Sequence, residues 1–232
     1  VKFAFNEEQE ELRRSARSFL RDQSSGEQVR AAMASDTGYD ENLWRRVGTE
    51  MGWTAVTIPE QYGGLGLGYV ELVALLEEMG ATLPCIPFFS SIALGANAFL
   101  VAGTEEQKTE HLPGIAAGES VATLALTEKG GGWDADSIAT TATPDASDYV
   151  LSGAKAYVPD GPIADGFVVA ARLPGSKGED GVRLFCLAAD QEGLTRTRQF
   201  TMDQTRPQAE IVLNEVRVPA AAMMNGAPEG DD

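Results

Sequence analysis

The chain of 232 residues holds a single histidine, His111. A metal centre built on several imidazoles is thereby excluded, and no serine stands in a nucleophile-elbow phrase that could serve a triad. Cysteine is scarce too. Cys85 and Cys186 lie far apart in different regions and read as unpaired thiols of a reducing cytoplasm. Basic residues are few: 18 Lys and Arg against 35 Asp and Glu give a net charge of -17. A nucleic-acid partner, which needs a basic stripe to meet phosphates, is excluded, and so is an anionic membrane surface. No apolar run is long enough to cross a bilayer. Residues 1–25 are charged and helical, without the apolar core of a signal peptide. The expected location is the cytoplasm.

What is present divides in two. Up to residue 119 the apolar residues recur at helical spacing. Asn6 with Gln9 opens an amphipathic helix whose inner face is Leu12, Ala16, Phe19 and Leu20. Residues 27–35 add a turn or two. Asp40 caps a helix that buries Leu43, Trp44, Val47 and Met51. Residues 54–58 read as extended. Tyr69 to Met79, ended by Gly80, is apolar over most of its girth and predicts a buried helix. Phe88 to Ala102 reads as one further helix, and Thr104 with Gln107 caps another over Glu105 to Ala116.

From Ser120 the apolar residues alternate or cluster in short runs. Val121 to Leu126 and Ser137 to Thr143 read as strands, and Tyr149 to Val158 as a hairpin turning at Ser152-Gly153. Gly166 to Arg172, Val182 to Ala188, Leu194 to Arg198 and Glu210 to Val218 complete the β pattern. The predicted fold class is α+β: a helical domain at 1–119, an antiparallel barrel or sandwich at 120–222, and an acidic linker or disordered tail at 223–232.

Gly63-Gly64-Leu65-Gly66-Leu67-Gly68 is not a dinucleotide fingerprint. It follows no strand of a βαβ unit, its glycine spacing is wrong, and it reads as a tight turn between helices. The acidic pairs Glu7-Glu8, Glu77-Glu78 and Glu105-Glu106 are adjacent in helices and diverge around the axis, so they read as solvated faces. The stretch Thr123 to Asp134 is different. It leaves a strand, carries Gly130-Gly131-Gly132 and holds Trp133. Beside it Lys155 to Gly161 forms a second strand-to-turn element with Tyr157. Glycines let a backbone approach a ligand closely, so two such loops could clasp a flat ring, or be ordinary β-turns.

Several phrases, in order, resemble the acyl-CoA dehydrogenase family. They are Phe5-Asn6-Glu7-Glu8-Gln9, Pro59-Glu60-Gln61-Tyr62-Gly63-Gly64, Gly103-Thr104-Glu105-Glu106-Gln107-Lys108 with Leu112-Pro113, Tyr149-Val150-Leu151-Ser152-Gly153-Ala154-Lys155, and Val216-Arg217-Val218-Pro219. The resemblance implies an FAD-dependent enzyme that desaturates an acyl-CoA thioester. Leu124, Leu126 and Thr127 would then approach the flavin, Tyr157 would pack on it, and Val158 and Pro159 would face its N5 edge. Trp133 stands where the family has a serine that contacts acyl-CoA, so it is the candidate substrate-binding residue; Lys129, Gly131 and Pro159 are further departures. The family's catalytic glutamate belongs to a C-terminal helical domain that nothing here resembles, so no catalytic residue and no metal ligand is assigned. Implied partners are an electron-transferring flavoprotein and a homo- or hetero-oligomer. Asp203-Gln204-Thr205-Arg206 resembles the branch acting on steroid side-chain thioesters, in which a degenerate subunit pairs with a competent one. The alternative is a non-catalytic partner subunit that scaffolds a flavin site.

Overall fold

A computed structural model describes residues 4–224. Residues 225–232, most of the expected tail, lie outside them. The helical part comprises α1 (Glu7–Gln23), α2 (Gly26–Met33), α3 (Glu41–Thr49), α4 (Tyr69–Thr82), a π-helical run Phe89–Ala96 that continues into α5 (Asn97–Ala102), and α6 (Glu105–Ala116). The expected caps form. Asn6 and Thr104 each accept from the backbone three residues on in a capping box, and Asp40 accepts from Leu43 N–H. On α1, Ala16 and Leu20 turn fully inward. The α1–α4 contact is pinned by Glu78, a buried carboxylate that accepts from Arg17 Nη2 at 2.7 Å and Arg13 Nε at 3.1 Å. The Arg17 hydrogen bond outweighs burial and holds Glu78 below the usual carboxylate range.

Four local expectations are corrected. Residues 53–55 form a 3₁₀ turn, not an extended piece. Among the described residues no strand lies alongside, and the carbonyls of Ala55, Val56 and Ile58 accept instead from Leu65, Leu67 and Gly66, which seats the glycine-rich turn against them. Helix α4 runs through Gly80 to Thr82 and ends on Leu83 in the left-handed region (φ 52°). It is not buried all round: Leu72, Leu75 and Met79 face inward while Tyr69, Val70 and Val73 are exposed. The helix expected over 88–102 changes pitch, π before α. Its π run packs on β1 so closely that a Cβ on Gly95 would lie 2.6 Å from the Ala122 carbonyl oxygen.

The β part is one eight-stranded sheet in the order β6-β7-β3-β2-β4-β5-β8, with β1 also on β4. The strands are β1 (Ala122–Ala125), β2 (Thr141–Asp145), β3 (Asp148–Pro159), β4 (Gly166–Arg172), β5 (Val182–Ala188), β6 (Leu194–Gln199), β7 (Gln208–Pro219) and β8 (Met223–Met224). Most pairs are antiparallel, as expected; β1–β4 and the short β2–β4 contact are parallel. The expected hairpin at Ser152-Gly153 does not exist, because β3 runs through it. Gly153 (φ 154°) sits at a register shift against β7, and a Cβ there would meet Thr140 Oγ1 at 2.5 Å. The pair thus lies opposite a bulge in β7, where Asn214 and Glu215 (φ 53°) face Ser152, and β3 keeps going. The chain reverses earlier, where Asp145 pairs with Asp148 and Ala146 takes φ 54°. The strand expected over 137–143 starts only at Thr141, since the N–H groups of Ala139 and Thr140 are drawn to a side chain described below.

Candidate functional site

Strand β1 ends at Ala125, and the loop 127–140 that follows closes on its own carboxylate. Glu128 accepts from the N–H groups of Ala139 at 3.0 Å and Thr140 at 2.9 Å. Lys155 of β3 lies beneath, its side chain fully buried, and its Nζ donates to Glu128 Oε1 at 2.7 Å and to the Leu126 carbonyl at 3.2 Å. Burial pulls the Lys155 pKa down against the pull of Glu128. Burial would raise Glu128, but Lys155 and the Thr140 N–H outweigh it and hold the carboxyl below its usual range. Burial penalises the charged form of both groups, and the 2.7 Å contact between them offsets it. Farther along the loop, Asp134 caps the 135–137 turn, and Arg172 donates to the carbonyls of Ala135, Ile138 and Gly178.

The second edge is the end of β3. In a regular strand Lys155 and Tyr157 would share a face. A register shift between Lys155 and Val158 separates them, with Tyr157 in the left-handed region (φ 57°). The lysine therefore goes under the loop while the Tyr157 ring, 49% exposed, turns outward. Ala156 N–H donates to the Thr127 carbonyl at 2.8 Å, and the Thr123 hydroxyl donates to the Pro159 carbonyl at 2.8 Å. The Leu126–Thr127 backbone and the Tyr157–Pro159 turn are thereby fastened side by side.

The predicted residues are distributed accordingly. Leu126, Thr127, Tyr157 and Pro159 meet at this edge, and among the described residues the Thr127 hydroxyl makes no hydrogen bond. Leu124 is half-buried and packs on the core, while the Val158 side chain lies within it, leaving its backbone to the edge. Trp133 projects from the glycine loop and is 80% exposed. Lys129, in the same loop, lies 3.5 Å from Glu210 of β7. Sequence reasoning missed Glu128 and Lys155 as a pair, although a lysine between apolar neighbours in a strand was a visible signal. It also missed Gln199, whose Oε1 accepts from Tyr157 N–H at 2.7 Å. No group of three or more His, Cys, Asp or Glu side chains that could hold a metal forms among the described residues. No helix there is long and apolar enough to cross a membrane. A separate cleft of about 370 Å³ beside α6, lined by Phe99, His111, Phe167 and Cys186, touches none of the predicted residues. In it His111 stacks on Phe99 at 4.7 Å.

Residues 6–119 match the family description "Acyl-CoA dehydrogenase, N-terminal domain", and residues 123–216 match "Acyl-CoA dehydrogenase, middle domain". The chain belongs to the acyl-CoA dehydrogenase family. Acyl-CoA dehydrogenase FadE12 of Mycobacterium tuberculosis is 31% identical over 96% of this chain and 57% of its own length. The steroid ACAD Tcur3481-Tcur3483 superposes with a TM-score of 0.83 at 34% identity, covering 95% of this chain and 58% of that one. An acyl-CoA dehydrogenase of Bacillus anthracis complexed with FAD superposes with a TM-score of 0.86 at 26% identity, covering 96% and 38%. The chain thus spans less than two thirds of each.

Proposed function

We propose that the protein carrying these residues is an FAD-dependent acyl-CoA dehydrogenase that introduces an α,β double bond into a bulky acyl-CoA thioester, a steroid side-chain thioester among the candidates. The observation that supports it is the fastened edge: an outward aromatic, a threonine hydroxyl without a partner among the described residues, and a backbone segment fixed from below by the buried Lys155. The edge fits a flat ring with a polar rim. The Tyr157 face would pack on the ring, and Thr127 with the nearby backbone N–H groups would donate to its pyrimidine side. Donors placed before reaction favour negative charge that develops there. FAD, when bound, supplies the hydride acceptor for the substrate's β-carbon.

This chain's part is binding and orientation. Lys155 and Glu128 hold the Leu126–Thr127 backbone so that its donors need not reorganise. Thr123 holds Pro159, whose ring nitrogen carries no proton, so Pro159 contributes shape and a carbonyl but no N–H. The proton on the substrate's α-carbon would be taken by the family's glutamate, and no described residue is assigned that role. Trp133 would set the wall of the acyl-CoA entrance. The working assembly is a homo- or hetero-oligomer that passes electrons to an electron-transferring flavoprotein. It would act in the cytoplasm, where Cys85 and Cys186, which form no disulfide, stay reduced.

The exposed Trp133, where the family has a serine, favours a second reading: a partner subunit that scaffolds a flavin site without taking substrate itself. Purifying the protein alone and with a neighbouring-gene homologue, then recording flavin absorbance before and after acyl-CoA, separates the two. Bleaching with this protein alone supports the enzyme. Bleaching only with the homologue present supports the partner role.

A further inference from the structure

We infer that Gln199 is a positioning residue: its side-chain oxygen holds Tyr157 in the left-handed conformation that presents the phenol ring to the candidate site. Between the pairs Lys155–Ile211 and Val158–Ala209, two residues of β3, Ala156 and Tyr157, face the single Glu210 of β7. That is a bulge, a device that re-aims a side chain. Without it the Tyr157 ring would point the same way as Lys155, beneath the loop 127–140. Both N–H groups of the bulged pair turn to other elements. Ala156 donates to the Thr127 carbonyl at 2.8 Å, and Tyr157 donates to Gln199 Oε1 at 2.7 Å. In the sheet order β7 lies between β6 and β3, so the Gln199 side chain reaches across a strand to make this contact.

A residue with a Cβ stays left-handed (φ 57° at Tyr157) only where its surroundings over-determine it. The cost of that conformation and the net worth of one hydrogen bond are of the same order, so one contact can decide the balance. Water could satisfy the Tyr157 N–H without fixing its direction. Gln199 fixes it, and its carboxamide has one possible orientation, because an N–H must face the oxygen and not the amide nitrogen. The glutamine is itself anchored. Strand β6 pairs with β7 as far as Gln199–Gln208, and the preceding Arg198 donates to the Asp36 carbonyl of the helical domain at 3.3 Å. Beyond Gln199 the chain turns on itself, with the Thr201 hydroxyl donating to the Asp203 carbonyl at 2.7 Å and the Thr205 hydroxyl to the Asp203 carboxylate at 2.6 Å. It returns to the same turn, where the Pro207 carbonyl accepts from Asp160 N–H at 2.7 Å. Thr123 grips Pro159 from the other side. Among the described residues, the side-chain contact that acts on the Tyr157 backbone itself is the one from Gln199.

The hold on Tyr157 stands on this geometry alone; its effect on a flavin rests on the reading above. The experiment uses the full-length protein labelled with fluorotyrosine, in which the five tyrosines of this chain are followed by fluorine NMR and Tyr157→Phe assigns the Tyr157 line. Without flavin, Gln199→Leu, which removes the acceptor, should shift or split that line. Gln199→Glu keeps an oxygen at the same reach and should restore the wild-type line. A Tyr157 line that Gln199→Leu leaves in place, or that Gln199→Glu moves as far as Gln199→Leu does, overturns the hold. With FAD, Gln199→Leu should weaken binding about fivefold, the worth of one hydrogen bond. A residue that acts through Tyr157 loses its effect once the ring is gone, so Gln199→Leu added to Tyr157→Ala should cost no further affinity. Losses that add overturn the positioning role. If the wild type binds no FAD, the flavin reading fails, and the fluorine line alone decides the hold on Tyr157.

Discussion

Replacing Lys155 by methionine tests how the loop edge is built. The substitution keeps most of the apolar stem and removes the ammonium, leaving the Glu128 carboxylate, 13% exposed, with only the Ala139 and Thr140 N–H groups. Removing one partner of a buried pair costs about 3–5 kcal/mol, because the other charge stays buried and unmatched. Two backbone donors and some solvent remain here, so the lower end applies, about 3 kcal/mol, or about 6–12 °C in midpoint for a domain of this size. Adding Glu128→Gln to Lys155→Met should recover much of the loss, with a coupling of about 2 kcal/mol in a double-mutant cycle. The pH dependence has a definite sign. Glu128 is held low when folded, so its contribution is present above its unfolded value and lost as pH falls through its folded value. The gap between wild type and Lys155→Met should therefore narrow on acidification. Urea unfolding of the four proteins supplies the cycle, and hydrogen exchange should show residues 127–140 opening first in the single variant. A loss below about 1 kcal/mol, or an additive cycle, would refute the reasoning.

Gly153→Ala should destabilise by about 2 kcal/mol or more, since a Cβ would lie 2.5 Å from Thr140 Oγ1 at φ 154°; thermal melts check it, and a neutral outcome would mean the bulge is soft. Glu78→Gln should cost about 1–2 kcal/mol at neutral pH, since Arg13 and Arg17 remain partly solvated, and the difference should shrink as pH falls through the folded value of Glu78, below its usual range. Trp133→Ser should strengthen acyl-CoA binding in calorimetry if the indole crowds the entrance, and unchanged or weaker binding would remove Trp133 from the substrate path.

Local features were legible because their physics is local. Asn6 with Gln9 and Thr104 with Gln107 formed caps, since a side chain three residues away is all a cap requires. Features set by a distant partner were not. Ser152-Gly153 has turn composition, yet pairing with a bulge of β7 on one side and packing on Thr140 on the other keep it in strand. The run 137–140 has β composition, yet Glu128 takes its donors. Residues 53–58 are apolar enough for a strand, and they were buried by the glycine loop. At the candidate site the half-buried Thr127 and the exposed Tyr157 were named through the resemblance. The groups that hold them, Glu128, Lys155 and Gln199, were not, because a polar contact across tens of residues leaves no periodic trace in a single sequence.

The central claim is that the edge formed by Leu126, Thr127 and Tyr157 serves a flavin that oxidises acyl-CoA. Its most direct test is anaerobic visible spectroscopy of the purified full-length protein, alone and with a neighbouring-gene homologue, before and after a steroid side-chain or other bulky acyl-CoA. The prediction is bound flavin whose absorbance bleaches on adding the thioester, and loses that response in a Tyr157→Ala, Thr127→Ala variant. Flavin retained in no preparation, or flavin that no acyl-CoA bleaches, would contradict it.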